Sequence, residues 1–95
     1  MRLSYTQEAR RDLRSIYRSS VEKFGLAQAD LYRDGLLAAL AFCAETPQAV
    51  REFPDLRVAV RIHPYRSHLI VFMIVDDAVR VIRVLHSRQD LRRAL

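Results

Sequence analysis

The sequence predicts an α+β fold in which a helical hairpin packs against a twisted antiparallel sheet, in the element order β-α-α-β-β-β. Apolar residues recur with helical periodicity over residues 6–45. Over residues 58–85 they alternate with polar residues or form a continuous apolar run, as in strands. Gly25, Pro47 and Pro54 fall where the pattern changes. With 95 residues, the chain is expected to form one domain, residues 1–95.

The first half of the chain predicts a short strand and two helices. Residues 2–5 form the strand, Thr6 caps the first helix, and Gly25 ends it. The second helix runs from Leu26 to Glu45. The very short connection predicts an antiparallel hairpin, in which Gly35 is expected to permit close helix–helix approach. Apolar residues beyond one stripe per helix predict an uncovered apolar groove.

The second half predicts three strands. Val58, Val60 and Ile62 alternate with polar or small residues, and His63-Pro64-Tyr65 is expected to break that strand. His68 to Val75 is apolar on both faces, as in a central strand covered on both sides.

The last predicted hairpin turns at Asp76-Asp77 and continues from Val79 to Leu85. Arg80 and Arg83 are three residues apart, which in a regular strand places them on opposite faces. The tail SRQDLRRAL is either a short helix or a segment that a partner orders.

Composition and charge exclude several classes of protein. An apolar content of 51% is too high for a disordered chain, and Cys43 alone makes no disulfide framework. The N-terminus has no signal-peptide core and the apolar runs are too short to cross a membrane, so we expect a soluble cytoplasmic protein. The net charge of +5 is uneven, because residues 1–46 carry +1 and residues 47–95 carry +4.

Chemistry-bearing motifs are sparse. No phosphate-binding loop, nucleophile elbow or zinc-protease motif occurs, and the three histidines lack metal-site spacing, so neither metal nor cofactor is expected. The arginines of the second half either contact a polyanion or an acidic peptide, or form a solvated sheet face. His86, at a strand end, is either a general acid or base or a hydrogen-bonded structural histidine.

Three stretches, taken in order, resemble ParE-type toxins of the RelE/ParE superfamily. They are LSYTQEARRDLRSIY, FGLAQADLY and SHLIVFMIVDDAVRVIRVLHSRQDL. The matching positions in the first two are Leu3, Ser4, Ala9, Asp12, Leu13, Ile16, Phe24, Gly25, Gln28, Ala29 and Tyr32. The resemblance covers nearly the whole chain and implies a RelE/ParE-like fold. The loop PQAVREFPDL departs from the family in having no glycine, and its role stays open.

The resemblance implies the toxin of a type II toxin–antitoxin pair. ParE-like toxins inhibit DNA gyrase and are neutralised by a ParD-like antitoxin that wraps them, so we expect a hetero-oligomer that meets nucleic acid only through its partners. Residues expected to contact the target or the antitoxin are Arg57, Arg61, Arg66, Arg83, His86 and Arg88.

Two other functions remain open at this point. In the RelE-like branch, which cleaves mRNA on the ribosome, Arg61 and Arg83 would stabilise charge and His86 would move a proton. The tail has no aromatic residue and the sheet has no lysine, which favours gyrase inhibition without enzyme activity. The third possibility is a nucleic-acid-binding or interaction module without toxicity.

Overall fold

Two long helices cover one face of a mixed sheet in the computed structural model, which describes residues 1–54 and 59–95. The described elements are β1 (Arg2–Tyr5), α1 (Gln7–Phe24), α2 (Leu26–Glu45), a 3₁₀ turn (Pro47–Ala49), β2 (Glu52–Phe53), β3 (Val60–Tyr65), β4 (His68–Val75), β5 (Ala78–His86) and α3 (Leu91–Ala94). The predicted element order is confirmed, and the two-residue strand β2 is added to it. Among the described residues, no helix is long and apolar enough to span a membrane.

The sheet has the strand order β1-β5-β4-β3-β2. β1 runs parallel to β5, with Leu3 opposite Val79, whereas the other neighbouring strands are antiparallel. The prediction of a wholly antiparallel sheet is therefore wrong at one edge. The cause is the helical hairpin, which returns the chain so that its first strand lies alongside its last.

Both predicted helix boundaries are confirmed at their capping residues. The Thr6 hydroxyl accepts the Ala9 amide at 3.0 Å and donates to the Ile82 carbonyl at 2.6 Å, so it caps α1 and ties it to β5. Gly25 has φ 86°, and its amide donates to the Val21 carbonyl at 2.9 Å. This left-handed residue ends α1 and starts α2 directly, which gives the hairpin its very short connection.

Pro64 lies within β3, so the predicted strand break at His63-Pro64-Tyr65 is wrong. The Ile62 amide donates to the Arg51 carbonyl at 3.2 Å, on the β2 side of the strand. Backbone groups alternate in direction along a strand, so the ring nitrogen of Pro64 also points to that side, away from β4. β2 pairs only with Val60 and Arg61, and a proline at the outer edge therefore removes no bond of the ladder.

The β4–β5 hairpin contains a two-residue turn and a bulge. Asp76 and Asp77 have φ 51° and 61°, the conformation that a tight hairpin of right-twisted strands requires. Further along, Val71 is opposite Arg83 and Phe72 is opposite Val81, which leaves Ile82 as an extra residue.

β4 is buried on both faces, as predicted. Ile70 and Phe72 face the helices in one core cluster, and Val71 faces a second cluster with Leu85. Residues of α3 pack on that second cluster, so the C-terminal tail forms the short helix that was one of its two predicted states. Cys43 lies in the helix-side cluster, where burial raises the pKa of its thiol to about 11 and keeps it protonated at neutral pH.

Gly35 of α2 makes room for Tyr65 at the end of β3. A Cβ atom at position 35 would lie 1.8 Å from the Tyr65 hydroxyl and 2.7 Å from the ring carbon that bears it. The Tyr65 ring in turn packs edge-on against Tyr32, with 5.3 Å between the ring centroids. The prediction of close helix–helix approach at Gly35 is therefore wrong, because a strand side chain fills the space there.

We predict that Gly35→Ala destabilises the protein by about 1–2 kcal/mol, because the added methyl group must displace the Tyr65 ring. Helix propensity alone predicts the opposite sign, a gain of up to about 1 kcal/mol. Chemical denaturation of Gly35→Ala, with Ala38→Gly as an exposed control on the same helix, measures which effect is larger. A Gly35→Ala protein more stable than the parent would contradict the steric interpretation.

Candidate functional site

Three of the predicted contact residues meet at one end of the sheet. Arg66 occupies the turn between β3 and β4, His86 ends β5, and Arg88 lies in the turn that follows. The two segments are joined because the Ser87 amide donates to the Ser67 carbonyl at 2.8 Å. Both arginines are exposed, so this end of the sheet presents two guanidinium groups beside a histidine.

His86 is the last of three hydrogen-bonded or stacked rings at this end of the sheet. Its Nδ1 atom accepts the Arg88 amide at 3.1 Å, and its ring stands edge-on to His68 at a centroid distance of 5.4 Å. Nδ1 of His68 is 2.7 Å from the Tyr32 hydroxyl. The sequence predicted Tyr32 only as part of an apolar helical stripe, so this polar contact to a strand was missed.

The environment keeps His68 neutral at pH 7. Burial lowers the pKa of His68, the neighbouring His86 lowers it further, and the Asp12 carboxylate opposes both. Burial also raises the pKa of Tyr32. The Tyr32–His68 contact is thus a hydrogen bond between two neutral groups, with the donor set by the imidazole tautomer.

Arg61 lies away from this cluster and is bonded within the protein. Its guanidinium donates to the Val50 carbonyl at 2.8 Å and to the Glu52 carboxylate at 3.2 Å. Its side chain is only 21% exposed. These bonds connect β3 to the chain around β2, and they give Arg61 a structural role in the isolated protein.

Arg83 is also bonded within the protein, on the open edge of β5. Its Nε and Nη2 atoms donate to both oxygens of Asp12 at 2.7 and 3.0 Å, and Nη1 donates to the Ala94 carbonyl at 3.3 Å. Asp12 also accepts the Val84 amide at 2.9 Å. The Asp12 hydrogen bond raises the pKa of Arg83, which remains charged.

The prediction that Arg80 and Arg83 lie on opposite faces is wrong. Arg80 is opposite Met73 and Arg83 is opposite Val71, and these two β4 residues share a face. The bulge at Ile82 adds one residue between the arginines and so cancels the alternation. The remaining predicted contact residue, Arg57, lies outside the described residues.

A separate groove of about 770 Å³ runs between the two long helices. Its lining is mainly apolar and includes Leu13, Val21 and Leu37, as the excess apolar width of the helices predicted. The arginines that line it are Arg14, Arg18 and Arg33. They are exposed and outnumber Glu22, the one acidic residue among the described lining, so the rim of this apolar groove is net positive.

Tyr17 and Arg33 shape one side of this groove and were not singled out from the sequence as site residues. The Tyr17 hydroxyl donates to Asp30 at 2.7 Å, and the Arg33 guanidinium lies 5.3 Å from the centre of the Tyr17 ring. Arg33 also pairs with Asp30 at 3.5 Å. The i, i+3 spacing of Asp30 and Arg33 was the available sequence signal.

No group of three or more His, Cys, Asp or Glu residues is arranged to hold a metal ion in residues 1–54 and 59–95.

Comparison with known proteins identifies the family. The model of the ParE toxin of the type II toxin–antitoxin system parDE matches residues 3–91. The chain belongs to the ParE toxin family. Two relatives named toxin ParE1 agree with this assignment, and each aligns over most of both chains. The relative from Caulobacter vibrioides is 33% identical over 90 residues, covering 95% of this chain and 93% of the relative.

The second relative of this toxin is from Mycobacterium tuberculosis, with 28% identity over 88 residues, 92% of this chain and 90% of the relative. A solved structure of the chromosomal ParDE TA system from P. aeruginosa has a TM-score of 0.79 and 18% identity, over 90% of this chain and 95% of the other. At that identity the likeness shows a shared fold, which confirms the fold expected from the family resemblance.

We predict that Asp12→Ala lowers the free energy of unfolding of this toxin by about 2–3 kcal/mol, because the Arg83 guanidinium and the Val84 amide lose their acceptor. Asp34→Ala is the matched control, since its contact with Arg33 is exposed and is expected to contribute less than about 0.5 kcal/mol. Urea denaturation of both variants measures the difference. An equal decrease in the free energy of unfolding in the two variants would show that the Asp12 contacts stabilise the fold no more than a surface ion pair does.

Proposed function

We propose that this toxin inhibits DNA gyrase by binding it, without catalysing a reaction, and that a ParD-like antitoxin neutralises it. The observation that carries the proposal is the ParE family match over residues 3–91. The same proposal places the protein in the cytoplasm, where gyrase acts, and treats residues 1–95 as one domain.

The groove between α1 and α2 is the proposed docking site for the antitoxin. An apolar groove rimmed by Arg14, Arg18 and Arg33 fits a segment that alternates apolar and acidic side chains. Apolar burial supplies most of the affinity, and the arginine rim adds attraction that weakens with salt. The fold shared with the ParDE system of P. aeruginosa supports a partner of this kind.

The sheet end that carries Arg66, His86 and Arg88 is the proposed contact surface for gyrase. Its two arginines are exposed, so they are available to carboxylates or phosphates of a large target. Arg61 and Arg83 support the fold instead, because their guanidinium groups are already bonded to Glu52 and Asp12.

The ribonuclease alternative has less support in this geometry. It requires Arg61, Arg83 and His86 to converge on one phosphate, yet Arg61 faces Glu52 near β2 and Arg83 faces Asp12 on α1. Stabilising a transition state with these arginines would first require breaking bonds that hold the fold together. Binding to gyrase requires no such rearrangement.

We predict that the purified toxin blocks gyrase supercoiling and increases cleaved DNA, while cell-free translation proceeds at its normal rate. A double variant, Arg66→Gln with Arg88→Gln, is expected to weaken gyrase inhibition about tenfold, because it removes two exposed charge contacts. Arg92→Gln, an exposed arginine of the tail, serves as its control. Inhibition of translation with gyrase unaffected would overturn the proposal.

We also predict that Leu37→Glu weakens antitoxin binding by about 30-fold or more, the effect of losing one interface hot spot. Leu37 lines the groove and is 48% exposed, so the change is expected to leave folding intact. The control is Leu31→Glu, because Leu31 is 66% exposed on the same helix and does not line the groove. The small acidic protein expected to be encoded beside the toxin is the binding partner in both titrations. Equal affinities for the two variants would place the antitoxin elsewhere.

A further inference from the structure

A second pocket, of about 360 Å³, opens beside the paired histidines and shares only His86 with the proposed gyrase contact surface. It lies where the C-terminal half of α1 and the start of α2 meet the ends of β4 and β5. Lys23, Gln28, Tyr32, His68 and His86 are among its lining residues. We call it the histidine pocket. Its volume falls within the range of small-molecule sites, about 300–1,000 Å³.

In both imidazole rings that line this pocket, Nδ1 is already engaged in a hydrogen bond. Nδ1 of His68 is engaged by Tyr32 at 2.7 Å, and Nδ1 of His86 accepts the Arg88 amide at 3.1 Å. The hydrogen bonds of the described residues leave Nε2 of each ring without a partner, and Nε2 carries a proton whenever the ring is protonated. The rings stand edge-on at 5.4 Å, close enough for two donors to converge on one group.

The charges around the pocket favour an anion. Lys23 contributes a positive charge from the last turn of α1, and the described residues that line the pocket include neither Asp nor Glu. Asp12 acts on His68 from α1, but its oxygens are bonded to Arg83 and the Val84 amide. From the β3–β4 turn, the positive charge of Arg66 acts on Tyr32, which stacks on Tyr65.

We propose that the histidine pocket binds a phosphate group, carried either by inorganic phosphate or by a nucleotide. The ammonium of Lys23 and the Nε2–H groups of His68 and His86 donate to the phosphate oxygens, and such charge-assisted hydrogen bonds are the strong ones. The proposal goes beyond gyrase inhibition: it shares His86 with the proposed gyrase contact surface, but its cation is Lys23 and not Arg66 or Arg88.

Binding of phosphate is expected to change the titration of both histidines. When the pocket is empty, burial and His86 lower the pKa of His68. A bound anion favours the protonated ring, so it raises the pKa of His68. His63 is an internal control, since it packs against Phe42 at 5.0 Å and does not line the pocket.

The test is a titration of the intact protein, in which NMR follows the three histidine ring signals at pH 6.5. Inorganic phosphate is added in one arm and a nucleoside 5′-monophosphate in the other, with sodium chloride holding the ionic strength constant. We expect saturable shifts of His68 and His86 toward their protonated positions, with His63 unchanged. Tighter binding in the second arm assigns the site to nucleotides, and equal or weaker binding assigns it to free phosphate.

Lys23→Gln is expected to weaken phosphate binding about tenfold, the effect of one charge-assisted hydrogen bond. Arg14→Gln, which removes an exposed cation of the same helix outside the pocket, is expected to leave binding unchanged. Shifts of equal size in all three histidines, the absence of saturation, or full binding by Lys23→Gln would each overturn the proposal.

Discussion

The carboxylate of Asp12 and the guanidinium of Arg83 together join α1, β5 and α3. The carboxylate accepts the Val84 amide on the edge of β5 and two hydrogen bonds from Arg83, which also donates to the Ala94 carbonyl of α3. β1 ends at Tyr5, so this part of β5 has no neighbouring strand on that side. A helix side chain therefore completes the sheet edge, and the bulge at Ile82 brings Arg83 within its reach.

This constraint separates the structural arginines from those available to partners. Arg61 and Arg83 are bonded to carboxylates and carbonyl groups within the fold, whereas Arg66 and Arg88 extend from turns. Arg14 and Arg18 line the groove, as does Arg33, which is also paired with Asp30 at the surface. The toxin consequently presents two positive surfaces, one on the helical hairpin and one at the end of the sheet. Separate surfaces permit an antitoxin to occupy the first while it blocks access to the second through its bulk.

Much of the fold could be predicted because its boundaries are encoded locally. Each helix boundary is marked by a residue that acts within one turn of its own position. Thr6 begins α1, Gly25 ends it, and Pro47 follows the end of α2, as expected. The contacts of the site were harder to predict from the sequence, because they join residues far apart in the chain. Asp12 and Arg83 are 71 positions apart, and Tyr32 and His68 are 36 positions apart. The bulge at Ile82 was also missed, although VRVIRVL breaks its apolar alternation there, with Val81 and Ile82 adjacent.

The parallel pairing of β1 with β5 has a consequence for the order of synthesis. Both helices are complete once residue 45 has been made, yet the residues that cover their apolar side come from β4 and β5. The pairing of residues 2–5 likewise requires residues 78–81, so the sheet is complete only when the last strand is present. Such distant pairings slow folding. The sheet of a nascent chain is therefore complete only after residues 78–86 have been made.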